Sequence, residues 1–351
     1  MRRRLLHGVV LATCLGLGGC RSLSDRIVSP EGPALFPPDF LAQVERHADV
    51  GAGSFRTDDG VSLGYRTLAP ARRGLTYGLT RADDATSLKF RFGKHDTAAS
   101  GPVPIRGTVV LLHGWGLDSA SMLPWALAFG EGGFRAVLVD LRGHGRSRAA
   151  LPGFGPREGA DVAELVGTLR ARGELDGPIY LLGASHGAVA ALHAAAVLGD
   201  KVAGIVAISP YPDARRGIHG MVEAVKRSNG GGLRGRALRG WARWRYDTAT
   251  VDAAMAKAGR RLGLDLATID TGPAVAALRS CSLVLHGGAD GMFRSQDIAE
   301  LAARSPLARF VELPGETHLT TPLRIDMLAG PLQDWFAGLP RTPCPPFAVD
   351  E

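Results

Sequence analysis

The run Pro178-Ile-Tyr-Leu-Leu-Gly183-Ala184-Ser185-His186-Gly187 constrains this chain more than any other stretch. An apolar segment of strand length gives way to a G-x-S-x-G pentapeptide, and a small-residue helical segment follows from Ala188 to Leu198. A sharp strand-to-helix reversal needs residues without Cβ around the bend, and a serine at its apex is pushed out over the end of a sheet. Ser185 is therefore the first candidate for chemistry.

Such pentapeptides also arise by chance, so the rest of the chain has to supply the other parts of a nucleophilic site. Upstream, Gly107-Thr-Val-Val-Leu-Leu112 reads as a buried strand that runs into His113-Gly114-Trp115-Gly116, where glycines let the N–H of Trp115 point into a site. Downstream, Ser282-Leu-Val-Leu-His286 is a second strand, followed by Gly287-Gly288-Ala289-Asp290. Arg309-Phe-Val-Glu-Leu313 then leads into Pro314-Gly315-Glu316-Thr317-His318. Ser185, Asp290 and His318 thus occur in that chain order, each just after a strand. Asp140-Leu-Arg-Gly-His-Gly-Arg-Ser147 forms a turn after the fourth strand.

On these motifs the chain, from about residue 54 to about residue 339, resembles an α/β-hydrolase. The resemblance implies Ser185 as nucleophile, His318 as general base and then acid, and Asp290 as the carboxylate that holds the imidazole tautomer. It also implies an oxyanion hole from the N–H groups of Trp115 and His186. Glu316 is the alternative carboxylate. Of the ten histidines, His113 and His144 belong to backbone turns, His193 sits on the helix behind the nucleophile, and His7 lies in the leader.

The expected fold is α/β: a mostly parallel, doubly wound sheet with an antiparallel N-terminal edge and a helical cap insertion. Ser54–Leu68 and Leu88–Gly93 read as the antiparallel edge. Beyond Gly107, strands alternate with helical segments such as Glu158–Arg172, Asp297–Ala303 and Leu323–Trp335. With 351 residues and 45% hydrophobic content, one sizeable core is feasible. The expected division is 54–210 with 277–339 as the core, 211–276 as the cap and 340–351 as a C-terminal tail.

The histidines show no H-x-x-x-H or H-E-x-x-H spacing and the cysteines no C-x-x-C pair, so zinc-ligand patterns are absent from the sequence. No G-x-x-x-x-G-K-[ST] loop occurs, and Gly114-Trp-Gly116 does not extend to G-x-G-x-x-G, because position 119 is Ser. The chemistry expected here needs no cofactor and no metal.

The first residues place Arg2-Arg3-Arg4 ahead of an apolar segment ending in Leu17-Gly18-Gly19-Cys20. This is the pattern of a secretory leader over residues 1–19, and its end resembles the lipobox of bacterial lipoproteins, which implies lipidation of Cys20. An ordinary cleaved signal or an uncleaved anchor are the alternatives. Arg21, where a Gram-negative lipoprotein retained at the inner membrane tends to carry Asp, implies an outer-membrane address in the cell envelope. Residues 20–53 read as a Ser-, Pro- and Gly-containing tether with a short helix around Leu41–His47. Past the leader, Cys281 and Cys344 either pair or stand as free thiols.

The net charge is +7, and the excess concentrates in the cap, where twelve basic residues face six acidic ones. Trp241, Trp244 and Tyr246 lie among Arg239, Arg243 and Arg245. Such a segment is either a solvated helix face or a surface for anionic lipid or an acidic substrate. No nucleic-acid recognition motif accompanies the charge. Gly230-Gly-Gly232 reads as a hinge or loop. The function expected from all this is serine-dependent cleavage of a small-molecule or lipid ester. A catalytically idle envelope protein that binds lipid, polymer or a partner protein is the alternative.

Overall fold

Strands made of Val, Ile and Leu without a polar face have to be covered on both sides, and helices in between supply the cover. The computed structural model describes residues 21–32, 34–82, 85–91, 103–227, 232–340 and 343–349. Its main sheet has eight strands, numbered here in chain order: β1 (Gly51–Arg56), β2 (Ser62–Leu68), β5 (Gly107–Leu112), β6 (Phe134–Val139), β7 (Ile179–Ala184), β8 (Gly204–Ile208), β9 (Ser282–Gly287) and β10 (Ala308–Leu313). They lie in the order β1-β2-β6-β5-β7-β8-β9-β10. β1 and β2 are antiparallel to their neighbours and all the others are parallel. β5, β7, β8 and β9 are buried along their whole length.

From β5 the chain winds first to β6 and then back to β7 on the other side, so the strand order reverses at β5. The C-terminal ends of β5 and β7 form the crevice in which open α/β sheets bind ligands. Helices α3 (Leu123–Glu131) and α11 (Ile325–Ala337) cover one face of the sheet, and α4 (Pro156–Ala171) and α5 (His186–Leu198) the other. α10 (Ser295–Ala302) bridges β9 and β10.

Three expectations need correction. Leu88–Arg91 does not join the main sheet: β3 (Thr76–Ala82) offers a local antiparallel partner to β4 (Ala85–Arg91), and the two form a separate sheet with Leu79 opposite Leu88. Residues 92 and 93 lie outside the described residues.

The second correction concerns the tether. Residues 21–53 carry α1 (Leu23–Val28), α2 (Pro38–Ala48) and the first half of β1. The Ser22 hydroxyl accepts from the N–H of Asp25 while the Asp25 carboxylate accepts from the N–H of Ser22, a reciprocal cap that starts α1 despite its shortness. Leu23, Ile27 and Val28 are then buried in one cluster with the cap, and Asp25 pairs with Arg261 at 2.5 Å. α2 puts Val44 and Ala48 into the core on the α3 side. The apolar residues of α1 are too few for a visible period, which is why the sequence reads as linker. The leader and Cys20 lie outside the described residues.

The cap occurs where expected, between β8 and β9, as α6 (Ala214–Arg227), α7 (Gly232–Arg245) and α8 (Thr248–Leu262). Its end is the third correction. α9 (Gly272–Ala276) packs against α5, and Val275 belongs to the cluster under the sheet. Gly230 and Gly231 lie outside the described residues, while Gly232 begins α7. At the C-terminus Cys281 and Cys344 are bonded, with Cα atoms 5.5 Å apart. A loop of about 60 residues closed in this way restricts the unfolded chain by roughly 4 kcal/mol in the chain-entropy model. Phe347 is buried and the indole of Trp335 donates to Pro345 O, so this tail is packed.

If α1 is part of the folded body, Val28→Ala should lower stability by about 1–2 kcal/mol, from the lost burial of two methyl groups plus the cavity left behind. Val28→Asp should destabilise more and open residues 21–32 to proteolysis. Melting temperature and limited digestion read both effects, and two neutral substitutions would return the segment to a tether.

Candidate active site

The turn between β7 and α5 is held by sterics. Ser185 has φ +53° and ψ −114°, a conformation that L residues with a side chain avoid unless the surroundings enforce it. A Cβ on Gly183 would lie 2.1 Å from Gly187 O, and one on Gly187 would lie 2.1 Å from Leu112 O at the end of β5. Both positions therefore require glycine. The N–H of Ser185 donates to Ile208 O at 2.7 Å, tying the bend to β8.

Ser185, His318 and Asp290, which stand far apart in the sequence, meet here. His318 Nε2 lies 2.9 Å from Ser185 Oγ, and His318 Nδ1 lies 2.9 Å from Asp290 Oδ2. The other oxygen of Asp290 accepts from the N–H groups of Met292 at 2.7 Å and Phe293 at 3.2 Å. Burial works against charge on Asp290, but the hydrogen bond to His318 and the N–H of Met292 outweigh it and hold the carboxyl below its ordinary range. The ring of Phe293 packs edge-on against His318. Glu316, the alternative carboxylate, is buried and paired with Arg324 instead.

The sequence reading passed over His286. It is fully buried at the end of β9, with Nδ1 3.6 Å from Asp290 Oδ2 and Nε2 3.3 Å from Phe293 O. Burial lowers its pKa, which keeps a second cation away from the carboxylate that faces His318. Its signal was its place at a strand end, four residues before Asp290.

The loop at 113–116 adjoins Ser185: a Cβ on Gly114 would lie 3.7 Å from Ser185 Cβ. His113 fixes this loop, with Nδ1 2.8 Å from Gly114 O and Nε2 accepting from the N–H of Leu141 at 3.1 Å. The N–H of Trp115 makes no backbone hydrogen bond among the described residues. His186 opens α5, where an N–H has no intrahelical acceptor. The 140–147 turn is a support. Asp140 accepts from Ser119 N at 2.7 Å and from Arg146, and Arg142 forms a buried ion pair with Asp161.

Beneath this loop the side chain of His186 is fully buried, 2.9 Å from the Tyr211 hydroxyl through Nδ1 and 3.6 Å from Glu158 Oε1 through Nε2. Trp115 stands edge-on to both His186 and His144. Glu158 accepts from the N–H groups of Gly153 at 2.5 Å and Gly155 at 2.7 Å. Burial disfavours its charge, yet the facing imidazole and those N–H groups outweigh burial and bring its pKa down from 4.5 to about 2.

Above Ser185 and His318 opens a cleft of about 240 Å³ with mostly apolar walls, among them Trp115, Ile218, Val222 and Phe293. An apolar cleft with a few convergent polar groups suits a ligand whose reacting end is polar and whose remainder is not.

Comparison with known proteins agrees with this fold. A family model described as the alpha/beta hydrolase family matches residues 109–325. Among solved structures, an esterase of Pyrococcus furiosus is similar with a TM-score of 0.59 at 15% identity, over 89% of this chain and 97% of that one. A 2,6-dihydroxy-pseudo-oxynicotine hydrolase is similar with a TM-score of 0.57 at 14% identity, over 86% of this chain and 71% of that one. These likenesses establish the fold. Among curated proteins, none matches the sequence.

A carboxylate whose pKa is depressed on folding stabilises above its unfolded value, and that stability is lost as pH falls through the folded one. Glu158→Gln should therefore lower stability near neutral pH by up to about 3 kcal/mol, and the gap to wild type should narrow as pH falls from about 4.5 towards 2. Denaturant unfolding across that range measures it. A pH-independent gap would mean that Glu158 has the same pKa in the folded and the unfolded protein.

Proposed function

Because the chain belongs to the alpha/beta hydrolase family, a membership carried by residues 109–325, we propose that it is a serine hydrolase acting on a carboxylic ester. The observation that carries this reading is the unbroken line from Ser185 Oγ through His318 to Asp290, with two contacts of 2.9 Å, under an apolar cleft. Ser185 Oγ attacks the ester carbonyl while His318 Nε2 takes its proton, and Asp290 stabilises the resulting imidazolium. The N–H groups of Trp115 and His186 stabilise the oxyanion. The tetrahedral species collapses to an acyl-enzyme as His318 protonates the departing alkoxide. Water, deprotonated by His318, attacks the acyl-enzyme, and the acid leaves with Ser185 restored.

The strain at Ser185 favours this reading over an idle binding protein. Asp49, Phe154 and Ser209 also have positive φ, but among the described residues only the strained turn at Ser185 presents a hydroxyl 2.9 Å from an imidazole nitrogen. Ser185→Ala and His318→Ala should each remove nearly all turnover of a small chromogenic ester. Asp290→Asn should reduce kcat by roughly 10⁴, the scale of the analogous substitution in serine proteases, because the wrong tautomer is favoured. The double variant Ser185→Ala/His318→Ala should be little worse than either single one. Activity retained in Asp290→Asn but lost in Glu316→Gln would transfer the carboxylate role.

We also propose that Cys20 carries a lipid and holds the enzyme on the envelope membrane. Residue 20 is one peptide bond from Arg21, and Arg21 lines the cleft, so a lipid there keeps the site beside a bilayer. On α7 the Arg243 and Arg245 side chains are exposed and Trp244 is 81% exposed, which suits contact with anionic headgroups. Cys20→Ser should release the protein from membranes in cell fractionation. Replacing Arg239, Arg243 and Arg245 with Gln should weaken binding to anionic vesicles more at low salt than at high, since exposed charges are screened beyond a Debye length of about 8 Å at physiological ionic strength. A wild-type protein in the soluble fraction, or salt-independent vesicle binding, would overturn these assignments.

A further inference from the structure

The segment at residues 21–32 reads as linker, yet with Leu35 it forms one side of the cleft above Ser185. Leu23, Ile27 and Leu35 line that cleft, and Leu23 and Ile27 are 7% and 3% exposed. Leu23 and Ile27 stand four residues apart on α1 and so share a face. Ile218 and Val222 repeat the same spacing on α6 and line the cleft as well.

The segment is fastened at both ends. Towards the cap, Asp25 pairs with Arg261 of α8, and α1 shares a buried cluster with Met255 and Leu262. Towards the nucleophile, Gly32 is pressed onto the loop beside Trp115, where a Cβ would lie 2.1 Å from Gly116 O. No side chain fits there, so the backbone of the segment sits directly on the loop assigned to the oxyanion.

We propose that residues 21–32, together with Leu35, are a specificity-determining wall, in which Leu23 and Ile27 contact the acyl chain of the ester and limit the length accepted. This rests on the reading of Ser185 as the nucleophile, because the acyl group must run along the cleft from that atom. Filling the cleft from α1 then excludes long chains and spares short ones. Emptying it does the reverse.

The test measures kcat/KM for acetyl, butyryl, octanoyl and dodecanoyl p-nitrophenyl esters with the full chain and with Ile27→Trp and Ile27→Ala. Ile27→Trp should reduce octanoyl and dodecanoyl turnover roughly tenfold or more while acetyl turnover stays within about threefold, the scale on which apolar pockets discriminate by size. Ile27→Ala should raise the dodecanoyl-to-acetyl ratio and provides the reading if the tryptophan variant fails to fold. Displacement of a fluorescent long-chain fatty acid by dodecanoate gives a second readout that needs no catalysis: it should weaken in Ile27→Trp. Equal scaling of all four esters in both variants, with fatty-acid binding unchanged, would overturn the wall. A wild type that cleaves no ester while Ile27→Trp still blocks the fatty acid would instead overturn the catalytic reading and leave the wall standing.

Discussion

The structure depends on one steric contact, the close approach of the Ser185 turn to the end of β5. Gly187 rests against the carbonyl of Leu112, and Gly183 rests against Gly187, with no room at either place for a side chain. Packed this tightly, the turn holds Ser185 at a positive φ and sets Oγ at the crevice where the strand order reverses. β9 and β10 then fix where Asp290 and His318 begin, so the line of contacts follows from strand ends in a shared register. Local strain is maintained by a core that cannot relax around it.

Around this centre the polar groups divide into two sets. Asp290 is charged and faces His318 from a buried position, with His286 held neutral behind it. Next to His186, which follows Ser185, Glu158 is charged and anchors Gly153 and Gly155. Each of these two buried carboxylates accepts from backbone N–H groups and faces an imidazole, which makes a buried charge tolerable. The first set orients His318, the proposed base. The second holds the residue whose N–H is assigned to the oxyanion.

Much of the centre was legible in the sequence because its signals are local. Glycines at positions 183 and 187 dictate a bend, uninterrupted apolar runs dictate buried parallel strands, and Asp290 and His318 follow such runs directly. Features set by tertiary contact were not legible. The apolar face of α1 comprises three residues and has meaning only against α8, so residues 21–53 read as tether. The pairing of β4 with β3 and the seat of α9 under the sheet depend on which neighbour is nearest in space. His286 lies four residues before Asp290, a local signal that its place within the apolar run of β9 conceals.

The central claim is that Ser185 is an activated nucleophile, and covalent labelling tests it most directly. The intact protein is treated with a fluorophosphonate probe, digested, and the modified residue mapped by mass spectrometry, alongside His318→Ala. The account predicts one adduct, on Ser185 in the wild type, formed far more slowly when the imidazole is missing. A wild type that stays unlabelled, or labels at Ser185 no faster than His318→Ala, would contradict it.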